Sequence, residues 1–196
     1  QSIEKDVYVC LLLENVMALP DIGEHLTFKG GTSLSKAHKI TERFSEDVDL
    51  VVDRHALGLT EDGIPGPQHS PRQQKERAKK IAKACRAWAT DVLLPALRNA
   101  LEHEMQGHAW SLDLNPDSDN HETVISFGYP KHFNNSGGYL LDYVKVDLVA
   151  KADAWPSVPM PVRTYVNELF AEELGDGAFM VRTLEAERTL IEKALL

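Results

Sequence analysis

Cysteine is scarce in this sequence: Cys10 and Cys85 are the two in 196 residues, and each sits in an apolar stretch. A disulfide scaffold is thereby excluded, and both thiols read as buried small hydrophobes in a reducing, cytoplasmic setting. Long hydrophobic runs are missing too. The stretch 7–13 is halted by Glu14 and has no basic leader, so neither a membrane span nor a signal peptide is expected. Nor is there the excess of positive charge that a surface gripping nucleic acid all round would carry, because the net charge is −9. No internal repeat or low-complexity tract is present.

What the chain does have is 43% hydrophobic residues, enough at this length for one ordinary domain, or a main domain with a small addition, with a real core. It also has one local reversal of charge. Arg72, Lys75, Arg77, Lys79, Lys80, Lys83 and Arg86 are opposed only by Glu76. These residues lie in a segment whose apolar positions Ala78, Ile81, Cys85, Trp88, Ala89, Val92 and Leu93 recur at helical spacing. A long helix over 72–104 follows, kinked or broken by Pro95, with one basic face. That face is either a solvated surface or a dock for an RNA backbone along Arg72, Lys75, Lys79, Lys83 and Arg86.

The remaining pattern alternates between helix and strand. Spacing predicts a helix over 2–19, with Ser2 as N-cap and Glu4 and Asp6 favouring the positive end of its dipole. A short strand over 26–29 runs into Gly30 and Gly31, then a short helix over 32–39. Val48, Leu50, Val51 and Val52 mark a second strand, followed by a long loop containing Gly58, Gly63, Pro65, Gly66, Pro67 and Pro71. Segments 124–127 and 139–150 read as a hairpin across the turn-rich stretch 130–138, with Asn134, Asn135, Ser136 and Gly137. The last third reads as a proline-rich connection (Pro156, Pro159, Pro161), a helix over 167–174, a strand over 179–182 and a final helix from Glu185.

Two aspartates stand in the second strand. Asp47 and Asp49 are one residue apart, so alternation puts both on one face with Cα atoms roughly 6–7 Å apart. At about 4 Å and an effective dielectric near 20, such charges repel by on the order of 4 kcal/mol, which a divalent cation converts to attraction. Hard oxygen ligands suit magnesium or manganese. Asp-x-Asp is also compatible with a solvated strand end. Asp147 adds weight, because Val144, Val146 and Leu148 alternate with Lys145 and Asp147 in what otherwise reads as a core strand, where a charge needs a partner. If the two strands are neighbours, three carboxylates converge, enough to hold two metals for phosphoryl transfer. Lys145, on the face of Asp147, reads either as a salt bridge to an aspartate or as a phosphate contact.

Gly30, Gly31 and Thr32 join strand to helix, where backbone N–H groups can face a triphosphate. Gly30 to Lys36 is not a P-loop, because the glycine spacing and the Gly-Lys pair are wrong. Lys29, Arg43 and Ser45 read either as phosphate contacts or as braces. His103-Glu104 lacks the second histidine of a zinc-protease helix, which would fall at Gly107. Trp88, Trp110 and Trp155 read as packing residues.

At this point the run Phe28-Lys29-Gly30-Gly31-Thr32-Ser33-Leu34-Ser35-Lys36, followed by Arg43-Phe44-Ser45-Glu46-Asp47-Val48-Asp49-Leu50, resembles the signature of the AbiEii/AbiGii toxin family of nucleotidyltransferases. Lys145-Val146-Asp147-Leu148 is similar to that family's third-carboxylate strand, and Glu192-Lys193-Ala194-Leu195 to the helix whose lysine lies near the triphosphate. The resemblance implies an α+β fold, a polymerase β-like core whose mixed sheet is packed by helices, as a single domain over 1–196 with 72–106 as a helical insertion. It further implies catalytic, metal-binding Asp47, Asp49 and Asp147, with Gly30, Gly31, Thr32, Ser45, Lys145 and Lys193 on the nucleotide. The partners implied are magnesium or manganese, a nucleoside triphosphate, an RNA acceptor such as transfer RNA, and a cognate antitoxin of a toxin–antitoxin or phage-defence pair.

Three features depart from the family pattern. Thr32 stands where the wider superfamily often has Gly-Ser, and the interval from Thr32 to Asp47 is long. The arginine and aspartate segment that normally follows the lysine helix is absent, so the chain, which opens on Gln1 and stops within a predicted helix at Leu196, reads as trimmed. Two other readings stand beside the enzyme: a catalytically silent module that binds nucleotide or antitoxin, and a magnesium nuclease, which has no use for the glycine cradle.

Overall fold

The computed structural model describes residues 2–42, 44–60, 64–115, 123–132 and 141–194. Arg43, Gly63, the turn residues Asn134 to Gly138, Tyr139, Leu140 and Leu195 lie outside the described residues.

Seven strands, β1 (Leu26–Lys29), β2 (Asp47–Val52), β3 (Ser111–Leu114), β4 (Thr123–Gly128), β5 (Val144–Val149), β6 (Ser157–Val162) and β7 (Phe179–Leu184), form one mixed sheet in the order β3-β4-β5-β2-β1-β7-β6. At its centre β1 (Leu26–Lys29) runs antiparallel to β2 (Asp47–Val52), and β2 runs parallel to β5 (Val144–Val149). The expected hairpin is present as β4 (Thr123–Gly128) paired antiparallel with β5, Ile125 opposite Val146 and Phe127 opposite Val144. Alternation in these strands separates two faces. Val48, Leu50, Val146, Leu148, Ile125, Phe127 and Phe28 share one face and join a single core cluster. The opposite face carries the charges.

Helices α1 (Ser2–Met17), α3 (Pro71–Trp88) and α4 (Leu94–Glu104) cover the apolar face, with Leu12, Leu13, Ile81, Cys85, Leu97 and Leu101 in the same core. Both cysteines are buried free thiols, as the sequence implies, and burial pushes Cys10 up to about 12 and Cys85 up to about 11. Helix α3 starts at a capping box in which Ser70 and Gln73 exchange side-chain and backbone hydrogen bonds, ahead of Pro71 at the first helical position. The expected disruption at Pro95 takes the form of a π-helical turn over Ala89–Leu93, where Leu94 N–H reaches back to the Ala89 carbonyl. Proline has no N–H for the regular ladder and its ring crowds the carbonyl four residues earlier, so one wider turn lets the helix continue.

The structure departs from the sequence reading at several elements. Helix α2 (Gly30–Lys36) begins at the glycines, and Lys39, expected within it, has a left-handed φ of 55°. A short strand, β3 (Ser111–Leu114), pairs with β4. The proline-rich connection is an edge strand, β6 (Ser157–Val162), paired with β7 (Phe179–Leu184). Pro159 and Pro161 are two apart, so both lack their N–H on the same side of the strand, and an edge position tolerates this. The helix expected over 167–174 is split into α5 (Tyr165–Leu169) and α6 (Ala171–Leu174) at Phe170. Helix α7 (Ala186–Ala194) follows β7.

Asp6 is not a dipole-facing residue. It is buried with Lys36 in an ion pair, and it also accepts from Tyr165 N–H at 2.7 Å. Lys36 further donates to the Arg163 carbonyl at 3.1 Å and lies 3.5 Å from the Tyr165 ring centroid. The lysine of the P-loop-like run is therefore a structural tie between α1, α2 and the segment before α5. Among the described residues, no helix is long and apolar enough to cross a membrane.

Candidate active site

The parallel pairing of β2 with β5 sets Asp49 opposite Asp147 and Asp47 opposite Lys145. Paired residues share a face, so all four side chains leave the sheet on the side away from α1, α3 and α4. Lys29, opposite Asp49 across β1, joins them. The strand adjacency on which the sequence made that convergence conditional is thus present.

Chain geometry beside Asp49 is tight. Gly30 has φ +79°, and a Cβ placed there would lie 1.9 Å from Asp49 Oδ2. Glycine lets the backbone turn from β1 into α2 directly against that carboxylate. Thr32, fully buried, donates to the Asp47 carbonyl and lies 2.8 Å from the Ser45 hydroxyl. A hydroxyl has one proton to give, so Ser45 is the donor in that second contact. These two side chains brace the segment leading into β2. Gly31 is half-buried beside them. Lys5, buried on α1, pairs with Glu46 and donates to the Leu141 carbonyl at 2.9 Å, a second brace on the same segment.

The electrostatics are those of carboxylates drawn out of water. Burial raises Asp49 to about 6, and the charges of Asp147 and Asp47 push the same way against Lys29 and Lys145. Asp47 is also raised, mainly by burial, with Lys145 opposing. Asp147 Oδ2 receives Lys145 Nζ at 2.9 Å, while its Oδ1 is buried without a hydrogen-bond partner. The salt-bridge reading of Lys145 is the one observed. A buried carboxylate oxygen with no donor is costly, and a hard cation is one partner that removes the cost. Among the described residues, however, no three His, Cys, Asp or Glu side chains stand close enough to ligate one ion as they are. Lys145 is held by Asp147, and its charge acts on Asp47 and Asp49 as well.

Lys193 is exposed on the last turn of α7. It is Glu192, one residue earlier, that reaches the site, pairing with Lys29 at 2.6 Å. Sequence reasoning missed Glu192, Lys5 and Glu46 as parts of this region, because each partner is far away along the chain and no local pattern marks it. The basic stripe does form one helix, α3, on which Arg72, Lys75, Lys79, Lys80, Lys83 and Arg86 are exposed. It lies across the sheet from the carboxylates: the Cys85 thiol bonds to Thr123, which is opposite Leu148 on the apolar face.

A comparison with curated proteins finds no match. The family model described as the nucleotidyl transferase AbiEii toxin of the type IV toxin–antitoxin system matches residues 11–196. The α+β architecture with its mixed sheet agrees with that description, and membership brings with it an antitoxin as partner. With nearly its whole length matched, the chain belongs to the AbiEii family of nucleotidyl transferase toxins.

Proposed function

We propose that this chain transfers a nucleoside monophosphate from a nucleoside triphosphate to an acceptor hydroxyl, with release of pyrophosphate. The observation that carries the reading is the register of β2 against β5, which sets Asp49 beside Asp147 and Asp47 beside Lys145 on one face. Asp47, Asp49 and Asp147 are the residues that would hold magnesium or manganese, and the partnerless Asp147 oxygen and raised Asp49 fit a cation there. When bound, the metal supplies charge neutralisation for the reacting phosphates.

The protein's own groups take the remaining tasks. The acceptor oxygen bonds to the α-phosphorus as the bond from that phosphorus to the bridging oxygen of the β-phosphate breaks, and the hydroxyl proton passes to Asp147. Backbone at Gly30, Gly31 and Thr32 faces the phosphates, on a segment held by Ser45. Lys145, released from Asp147, balances the charge gathering on pyrophosphate. The acceptor is proposed to be RNA, with transfer RNA as the leading candidate. An acceptor touching both α3 and the aspartates must wrap around the sheet, which a folded RNA has the size to do.

A second reading, a silent module that binds nucleotide or antitoxin, draws on one observation: Lys145 already pairs with Asp147. Incubation with magnesium, total bacterial RNA and each of four labelled nucleoside triphosphates separates the two. Label entering RNA with the unmodified protein but not with Asp49→Asn is the expected result. Magnesium-dependent nucleotide binding without transfer to RNA or added protein supports the silent module. Equal transfer by both proteins removes the aspartates from the reaction.

A further inference from the structure

Lys29 is the last residue of β1, opposite Asp49, and its side chain is only 15% exposed. Its ammonium is held at 2.6 Å by Glu192 Oε2 from α7. Glu192 is in turn fixed by Arg188 Nε at 3.2 Å, one helical turn earlier. Arg188 also lies 3.9 Å from Asp153, which pairs with Arg54 at 3.1 Å. Arg54 is tied to the Ala150 and Lys151 carbonyls at 3.1 and 2.6 Å. A ladder of alternating charge therefore runs from the end of β1 through α7 to the turns after β5 and β2. It contains Lys29, Arg188 and Arg54 against Glu192 and Asp153, and one of its cationic ends stops beside Asp49.

We propose that Lys29 binds the outer phosphates of the nucleoside triphosphate and that Glu192 is the positioning residue that fixes the Lys29 ammonium beside Asp49; this rests on the nucleotidyltransferase reading above. A lysine has three N–H donors, and Glu192 uses one. The Glu192 charge is already shared with Arg188, so the pairing leaves cationic character on Lys29 for a second anion. Lysine stems are flexible, and a ligand built on one gains from a neighbour that limits its rotamers before the phosphate arrives. A structural tie alone would fasten α7 equally well, but it would make no distinction between a triphosphate and a monophosphate.

That distinction is the test. Calorimetry with magnesium and each of ATP, CTP, GTP and UTP, and with the matching monophosphates, is run on the unmodified chain, Lys29→Met, Lys29→Arg and Glu192→Gln. Thermal melts are recorded alongside. Lys29→Met is expected to weaken triphosphate binding by about tenfold, as removal of one charged hydrogen bond implies, and to leave monophosphate binding unchanged. Lys29→Arg should restore most of the affinity. Glu192→Gln should melt near the unmodified protein yet fall several-fold in triphosphate affinity alone. An unchanged ratio of triphosphate to monophosphate affinity in folded Lys29→Met overturns the assignment, and the same result in Glu192→Gln overturns it should Lys29→Met not fold. Failure of the unmodified chain to bind any triphosphate overturns the enzyme reading and this one together, whereas triphosphate binding with unaltered ratios overturns this one alone.

Discussion

Asp49 carries a cost that the fold accepts for the sake of its site. Its carboxyl stands at about 6 in the folded chain against 3.8 when exposed, chiefly through burial. A raised carboxyl means that the folded state binds the proton more tightly than the unfolded chain does. Below pH 3.8 both states are protonated and the group contributes nothing; as pH rises to about 6 the folded chain loses stability, and above that the full penalty stands. In the absence of divalent ions, Asp49→Asn should therefore raise the melting temperature at pH 7.5. The gain is on the order of 1–2 kcal/mol after allowance for solvent screening, and it should vanish near pH 4. Melting curves of both proteins across that range check it, and a stabilisation that did not depend on pH would contradict the account. Asp47 and Asp49 were legible as a pair because strand alternation depends only on spacing. The pairing of Lys29 with Glu192 was not, since 163 residues separate the two.

At the scale of elements, α1 and α2 are joined by charge as well as by apolar packing. Lys36 and Asp6 are 2% and 1% exposed, and burial is the main force holding the Asp6 carboxyl above its ordinary value. Breaking such a pair from one side leaves a lone buried charge and costs about 3–5 kcal/mol, whereas removing both costs less. In urea unfolding, Lys36→Met and Asp6→Leu should each destabilise strongly. The double variant should recover part of that stability, although Tyr165 N–H then lacks its acceptor. Simple additivity of the two single effects would show that the residues do not act as a pair. Helices α1 and α3 were readable because apolar residues at helical spacing mark a core face directly. Strand β6 was hidden, because Pro159 and Pro161 look like a connection until an edge position makes their missing N–H groups harmless.

For the molecule as a whole, the sheet separates two surfaces of opposite charge. Its carboxylate face lies opposite the layer that carries the basic stripe of α3, in a chain of net charge −9. If the stripe holds RNA, replacing Lys75 and Lys83 by glutamine should weaken RNA binding and reduce the slope of log K against log salt by roughly 1.4, at about 0.7 for each phosphate that a lysine no longer neutralises on a single strand. The nucleotide KM should not move, because those side chains lie across the sheet from the aspartates. Filter binding over a salt series, paired with nucleotide kinetics, measures both; an unchanged slope assigns α3 to a solvated surface. Composition and spacing were sufficient to establish helices and strands around a buried core, a shared face for Asp47 and Asp49, and a core strand in which Asp147 needs a partner, while the α+β class came from the family resemblance. Those properties follow from amino-acid content and from period, which operates within a few residues. Only the folded chain could establish that β5 lies beside β2 in the register that brings Asp147 to Asp49, that Lys145 closes on Asp147, and that α7 turns Glu192 rather than Lys193 toward Lys29. Strand order and helix rotation depend on packing between segments far apart in the chain, and no local pattern encodes that packing.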